Sequence, residues 1–185
     1  AAAELDASQG KLKGDHPLLC VELQNNGTLV ALDISNNEIA TDEIGKALGD
    51  ALATNSVLKE LDVSNNLGEH ENIDGPGFAE QLVAGLMANR SLCKLVIRNN
   101  HIRGTEAGEA FGKMLAANTA LNELDLSDQG GVFSKKLDAN FVKGFALGLL
   151  ENGALTCEGK GHKCYLEWKI NPLYNSAADR VKRVF

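Results

Sequence analysis

Apolar residues recur along this chain in a fixed order. One is followed by a second three positions on, a third two positions later, and a polar residue three beyond that. Leu29, Leu32, Ile34 and Asn37 set the pattern. Leu58, Leu61, Val63 and Asn66 repeat it, as do Leu92, Leu95, Ile97 and Asn100. A fourth copy reads Leu121, Leu124 and Leu126, with Gln129 in place of the Asn. The second and third apolar residues of each copy are two apart, so in a strand they share one face, the core face. Each copy therefore predicts a short strand closed by a turn. The turn amide both donates and accepts, so stacked Asn37, Asn66 and Asn100 can satisfy main-chain groups that would otherwise be buried unpaired. Gln129 is one methylene longer, and the expectation is an interrupted ladder and a fourth turn of different shape.

After each turn the apolar spacing changes from two to four. Ile44, Leu48 and Leu52 form one such stripe, followed by Phe78, Leu82 and Leu86, then Phe111 and Leu115, then Phe141, Phe145 and Leu149. These predict amphipathic helices. Asn55, Asn89, Asn118 and Asn152 each stand three residues before the next strand position, suiting a helix C-terminal cap or turn. Leu19, Leu23 and Asn26 match this helical half with no strand in register before it. A helix over residues 16–25, in an incomplete or capping unit, is the expectation. Residues 1–14 are polar and unpatterned, and read as a tail, a linker or the end of another domain.

The copies come in pairs. Leu92 lies 63 residues after Leu29, Leu121 63 after Leu58, and Leu155 63 after Leu92. The longer copies carry their extra residues just past the strand, at 68–75 and 130–139, in polar, glycine-rich stretches that read as loops on one rim. Leu155 opens a fifth copy that departs from the pattern. Residues 156–163 are polar and glycine-rich, 165–170 read as a strand with Leu166, Trp168 and Ile170 on one face, and 175–184 read as a helix. A stack must cover its last apolar face. Residues 15–155 are thus taken as the repeat unit and 156–185 as its C-terminal capping strand and helix.

A strand and a helix in every ~29 residues resembles the ribonuclease-inhibitor type of leucine-rich repeat. The resemblance covers roughly residues 16–156. It implies an α/β solenoid, a right-handed β-α superhelix with parallel strands on the concave face and helices on the convex face. In size and layout the chain is similar to the C-terminal domain of tropomodulin, an actin pointed-end cap. Ala88-Asn89-Arg90-Ser91-Leu92 and Ala117-Asn118-Thr119-Ala120-Leu121 look like its helix-to-strand joints. The wider superfamily shares those joints, so no actin-contacting residue is carried over. GTPase-activating proteins of the Ran system share the repeat too and use an arginine or asparagine from turns beside the strands. Arg98 and Arg103 lie near a comparable turn, but an acidic inner face opposes the approach of a phosphoryl group. The longer array of that family is also missing.

Composition narrows the function classes. Twenty-five acidic against 18 basic residues, a net charge of −7, argue against a nucleic-acid surface. No run approaches the roughly 18 apolar residues of a membrane span, and the first six residues lack the basic start and apolar run of a signal peptide. Four scattered cysteines do not make a disulfide framework, with Cys93 in a predicted strand and Cys20 in a predicted helix. A reducing compartment, and so a cytoplasmic protein, is the expectation.

The candidate chemistry lies between the core positions, on the inner face of the strands. The fifth position of each copy reads Asp33, Asp62, Val96, Asp125; the third Ala31, Glu60, Lys94, Glu123; the seventh Ser35, Ser64, Arg98, Ser127. Neighbouring strands lie about 4.8 Å apart, so Asp33 and Asp62 are near neighbours that repel unless solvated or bound by a cation. Two readings are open: a solvated face on which Lys94 and Arg98 pair with adjacent carboxylates, or a docking surface for a basic segment of a partner protein. Aligned Asp side chains alone do not form a closed metal shell. Cys157, His162 and Cys164 offer three zinc-type ligands without a local fourth, in a spacing unlike the usual fingers, and free or disulfide-linked thiols in a hairpin are the simpler reading. No phosphate-binding loop, zinc-protease helix or nucleophile elbow is present, and His70 and His101 read as exposed loop histidines. The expectation is a non-enzymatic protein-protein interaction scaffold without cofactor or metal. Its partner-binding residues are Asp33, Glu60, Asp62, Lys94, Arg98, Glu123 and Asp125.

Overall fold

The computed structural model describes residues 3–12, 14–67, 75–129 and 138–151. Five strands alternate with five helices: β1 (Ala3–Asp6), α1 (His16–Gln24), β2 (Leu29–Asp33), α2 (Asp42–Thr54), β3 (Glu60–Asp62), α3 (Gly75–Leu86), β4 (Lys94–Val96), α4 (Thr105–Ala117), β5 (Glu123–Asp125) and α5 (Ala139–Glu151). The strands form one parallel sheet in sequence order, an α/β architecture. Register places equivalent residues of the repeated pattern side by side: Leu32 beside Leu61, Leu61 beside Leu95, Leu95 beside Leu124. On the core face these leucines join Leu48, Leu52, Phe78, Leu82, Phe111 and Phe141 from the helices in one hydrophobic cluster. Burying each such side chain contributes about 1.5–3 kcal/mol. Among the described residues, no helix is long and apolar enough to cross a membrane.

Within the stretch 1–14, read from sequence as a tail, a linker or the end of another domain, residues 3–10 pair with β2 and its continuation. Ala3–Asp6 is the edge strand of the sheet, paired parallel with β2. The main chain continues the pairing beyond it: Ala7 donates to Asp33 O, Gln9 to Ser35 O and Gly10 to Asn36 O. Ala7 and Leu12 are buried. This first unit carries Ala7 and Gly10 where later copies have a large apolar residue and an amide, so a search for large apolar residues passes over it. The α1 helix accordingly follows a strand like every other helix.

The turn ladder runs without a break, contrary to the expectation for Gln129. Asn37 N–H donates to Asn66 Oδ1 (2.7 Å), Asn66 N–H to Asn100 Oδ1 (2.8 Å), and Asn100 N–H to Gln129 Oε1 (3.0 Å). In the other direction Asn37 Nδ2 donates to Ala7 O, Asn66 Nδ2 to Ile34 O, Asn100 Nδ2 to Val63 O and Gln129 Nε2 to Ile97 O. The residue before each amide is left-handed: φ is 57° at Asn36, 53° at Asn65, 49° at Asn99 and 61° at Asp128. Asn and Asp tolerate that region best among residues with a side chain. Despite its extra methylene Gln129 makes both ladder bonds, and Asp128 before it takes the same left-handed backbone as Asn36, Asn65 and Asn99.

A second ladder joins the helix ends. Asn55, Asn89 and Asn118 are buried. Each accepts from the main chain of the strand it introduces, as Asn89 Oδ1 does from Leu92 N–H at 2.7 Å. Each also donates back one unit, to Leu23 O, Leu52 O and Leu86 O respectively, all at 2.7 Å.

The pairing of copies has a packing cause. Glycines bring α2 and α3 into backbone contact: a Cβ at Gly45 would fall on the Phe78 main chain, and one at Gly85 on Gly49. The same holds between α4 and α5, where Gly108 faces Phe141 and Gly148 faces Glu109 and Gly112. In the inserts read at 68–75 and 130–139, Gly75 and Ala139 already open α3 and α5, and residues 68–74 and 130–137 lie outside the described residues. So do Asn152, Leu155, Cys157, His162 and Cys164, and the strand and helix expected within 156–185.

Candidate functional site

Side chains at the third, fifth and seventh positions emerge on the face of the sheet opposite the helices. Four of the five strands end in Asp-x-Ser, and in each the carboxylate accepts the serine N–H two residues on: Asp6 from Ser8 (3.0 Å), Asp33 from Ser35 (2.9 Å), Asp62 from Ser64 (2.8 Å) and Asp125 from Ser127 (3.0 Å). These local rings turn the chain out of the strand. The acidic row is therefore partly structural: each aspartate commits one oxygen to its own turn. The fourth strand has Val96 and Arg98 at these positions and lacks the ring.

Charge divides this face in two. On the β4–β5 side it is neutralised internally. Lys94 Nζ lies 3.8 Å from Glu60 and 3.6 Å from Glu123. Arg98 contacts Asp128 at 2.7 Å and Asp125 at 3.9 Å. The Asp128 hydrogen bond, with the charges of Asp125 and Asp62 adding to it, raises the Arg98 pKa above its ordinary value against the opposing effect of burial. Asp125 is only 6% exposed, far less accessible than the sequence reading of an open acidic row implies. Its carboxylate is held under Arg98 by its own turn.

The β1–β3 side is different. Glu4, Asp6, Asp33, Glu60 and Asp62 line a shallow depression of about 230 Å³, with Lys94 also in its lining. Asp6 aligns with Asp33, and Asp33 with Asp62. Among the described residues, no salt bridge reaches Asp33 or Asp62, whereas Lys11 meets Asp6 at 2.8 Å. Hydrogen bonds from Lys11 and Ser8 hold the Asp6 carboxyl well below the usual carboxylate range. Of the seven residues singled out from sequence, Asp33, Glu60, Asp62 and Lys94 meet in this depression, while Arg98, Glu123 and Asp125 belong to the neutralised side. Glu4, Asp6 and Asp128 were missed. The signal for Asp6 was present, because Asp6-x-Ser8 repeats Asp33-x-Ser35. Asp128 occupies the position of Asn36, Asn65 and Asn99, just before the turn amide.

Away from this face, burial and the nearby Arg103 lower the pKa of His101. Among the described residues no three His, Cys, Asp or Glu side chains gather closely enough to hold a metal ion. The chain matches no protein-family model, and no curated protein matches it either.

Proposed function

We propose that this chain is a leucine-rich repeat solenoid acting as a non-enzymatic interaction scaffold, with the open face of its sheet as the concave inner surface. Its partner is a protein that presents a basic segment to the acidic β1–β3 half of that face. The observation that carries the reading is the asymmetry of charge. Among the described residues no salt bridge reaches Asp33 or Asp62, which stand side by side, and Asp62 senses Arg98 only through its charge. The neighbouring half is paired in salt bridges. Bringing lysine or arginine to that depression relieves like-charge repulsion and steers encounter. A cytoplasmic location accords with the free thiols of Cys20 and Cys93. Actin capping of the tropomodulin type and GTPase activation of the Ran type are resemblances of the repeat alone. For the second, Arg98 is engaged by Asp128, so that reading would rest on the exposed Arg103.

The test is a pull-down from cell extract read by mass spectrometry, comparing wild type with Asp33→Asn/Asp62→Asn. Asparagine keeps the oxygen that accepts Ser35 and Ser64 N–H, so the turns persist while the charge is removed. A partner lost with the variant, and bound with a steep salt dependence by wild type, supports the proposal. Partners retained equally by both proteins remove it, and actin in both eluates would move the site off this face.

A further inference from the structure

On the open face, strand register sets one row of residues across the sheet: Glu4, Ala31, Glu60, Lys94 and Glu123. Lys94 has Glu60 on one side and Glu123 on the other, and its ammonium lies 3.8 and 3.6 Å from their carboxylates. Two strands away, Ala31 stands in the same relation to Glu4 and Glu60. Its side chain stops at Cβ, so the place that a lysine stem fills at β4 is left open at β2. Glu4, Ala31 and Glu60 all line the depression of about 230 Å³. Among the described residues no salt bridge reaches Glu4, and the contact of Lys94 with Glu60 is its longer one.

We propose that the hollow over Ala31 takes one lysine side chain of the partner and holds its ammonium between Glu4 and Glu60, a role that rests on the acidic open face being the docking surface. The molecule carries its own template for this arrangement in Lys94. Glu4 and Glu60 are rooted two strand spacings apart, about 9.6 Å, as are Glu60 and Glu123 around Lys94. An ammonium has three rotatable donors and can serve carboxylates on opposite sides at once. A guanidinium is a planar fork matched to the edge of a single carboxylate, so arginine suits this place less well. Asp33 stands two residues along β2 from Ala31, on the same face, and adds negative charge beside the hollow. Lys11 already serves Asp6, and Lys94 its own pair of glutamates, so the lysine that fills this place is the partner's.

The probe is end-capped hexalysine, titrated into the full chain by calorimetry at low salt beside the same peptide with every ammonium trimethylated. Trimethylation keeps the charge but removes the N–H donors and enlarges the head, and should weaken binding tenfold or more. Ala31→Leu fills the hollow without changing charge and should weaken hexalysine by a similar factor. Glu4→Gln alters an exposed side chain, should cost threefold or more, and carries the test if melts show that Ala31→Leu does not fold. Asp33→Asn/Asp62→Asn tests the docking surface itself. Hexalysine weakened by the double Asn variant but indifferent to Ala31→Leu, Glu4→Gln and trimethylation keeps the acidic face and overturns the lysine hollow. Hexalysine indifferent to the double variant, yet lost with Ala31→Leu and with trimethylation, keeps the hollow and removes the wider acidic-row reading. Absence of binding at millimolar peptide overturns both.

Discussion

The side-chain oxygen of Gln129 accepts the main-chain N–H of Asn100 at 3.0 Å and, at 3.1 Å, that of Ile102. Its amide nitrogen meanwhile donates to Ile97 O at 2.6 Å. One glutamine thus satisfies three main-chain groups of the preceding unit, and it is only 3% exposed. Truncating it leaves buried polar groups without partners, each costing about 1–3 kcal/mol. Gln129→Ala should therefore lose about 3 kcal/mol or more in denaturant unfolding, and Gln129→Asn should recover part of that. A loss below about 1 kcal/mol would mean that water replaces the side chain.

The glycine contacts make a second prediction. Alanine normally improves a helix over glycine by about 1 kcal/mol. At Gly85 a methyl group would fall on the Gly49 main chain, which cannot rotate away. The overpacking cost, about 1–3 kcal/mol, should win, so Gly85→Ala destabilises. Gly27→Ala meets nothing within 4 Å and should change stability by less than about 1 kcal/mol. Parallel thermal melts of the two variants check the contrast.

Arg98 restrains the acidity of the open face. Its ion pairs are partly exposed, so Arg98→Ala should change stability by less than about 1 kcal/mol. It should also release Asp128 and raise the negative potential near Asp62. A hexalysine peptide should then bind more tightly and with a steeper salt slope, measurable by calorimetry at two ionic strengths. Unaltered binding would show that the β4–β5 half does not influence the depression.

Asp138 ties the start of α5 to the start of α4. Its carboxylate accepts from Gly104 N–H at 2.9 Å and Phe141 N–H at 3.3 Å, and the Gly104 bond is the main cause of its lowered pKa. A group with a depressed folded-state pKa stabilises above its unfolded value, about 3.9 for aspartate, and that contribution is lost as pH falls through the folded value. Asp138→Asn should flatten the decline of unfolding free energy on acidification below about pH 5. Superimposable profiles for variant and wild type would contradict this.

The thiols should react in order. Burial pushes the Cys20 thiol up to about 11. At pH 8 only about one molecule in a thousand then carries the reactive thiolate. In native protein, iodoacetamide should modify the partly exposed Cys93 well before Cys20, as peptide mapping over time would reveal. Early labelling of Cys20 would mean that α1 opens readily.

The strands β2 to β5, the helices after them and both asparagine series were legible because each is marked by large apolar residues or amides at fixed spacing. The first strand was not, since Ala7 and Gly10 stand where later copies have a large apolar residue and an amide, leaving Leu5 alone to mark the pattern. The seven candidate site residues could be placed in the rows between the core positions, but their availability was not legible. Asp125 and Asp33 occupy equivalent places in the motif. One lies buried under Arg98 and the other stands in an open depression.

The sequence by itself determined the alternation of strand and helix, the core rows and the 63-residue pairing of copies, because each follows from a local period or a fixed spacing. Only the tertiary structure decided which charges cancel and which stay free. Lys94 is set between Glu60 and Glu123 by strand register, and Arg98 is drawn to Asp128 by the next turn. Register across a parallel sheet joins residues a full unit apart, and Coulomb interaction depends on their distance in space rather than along the chain.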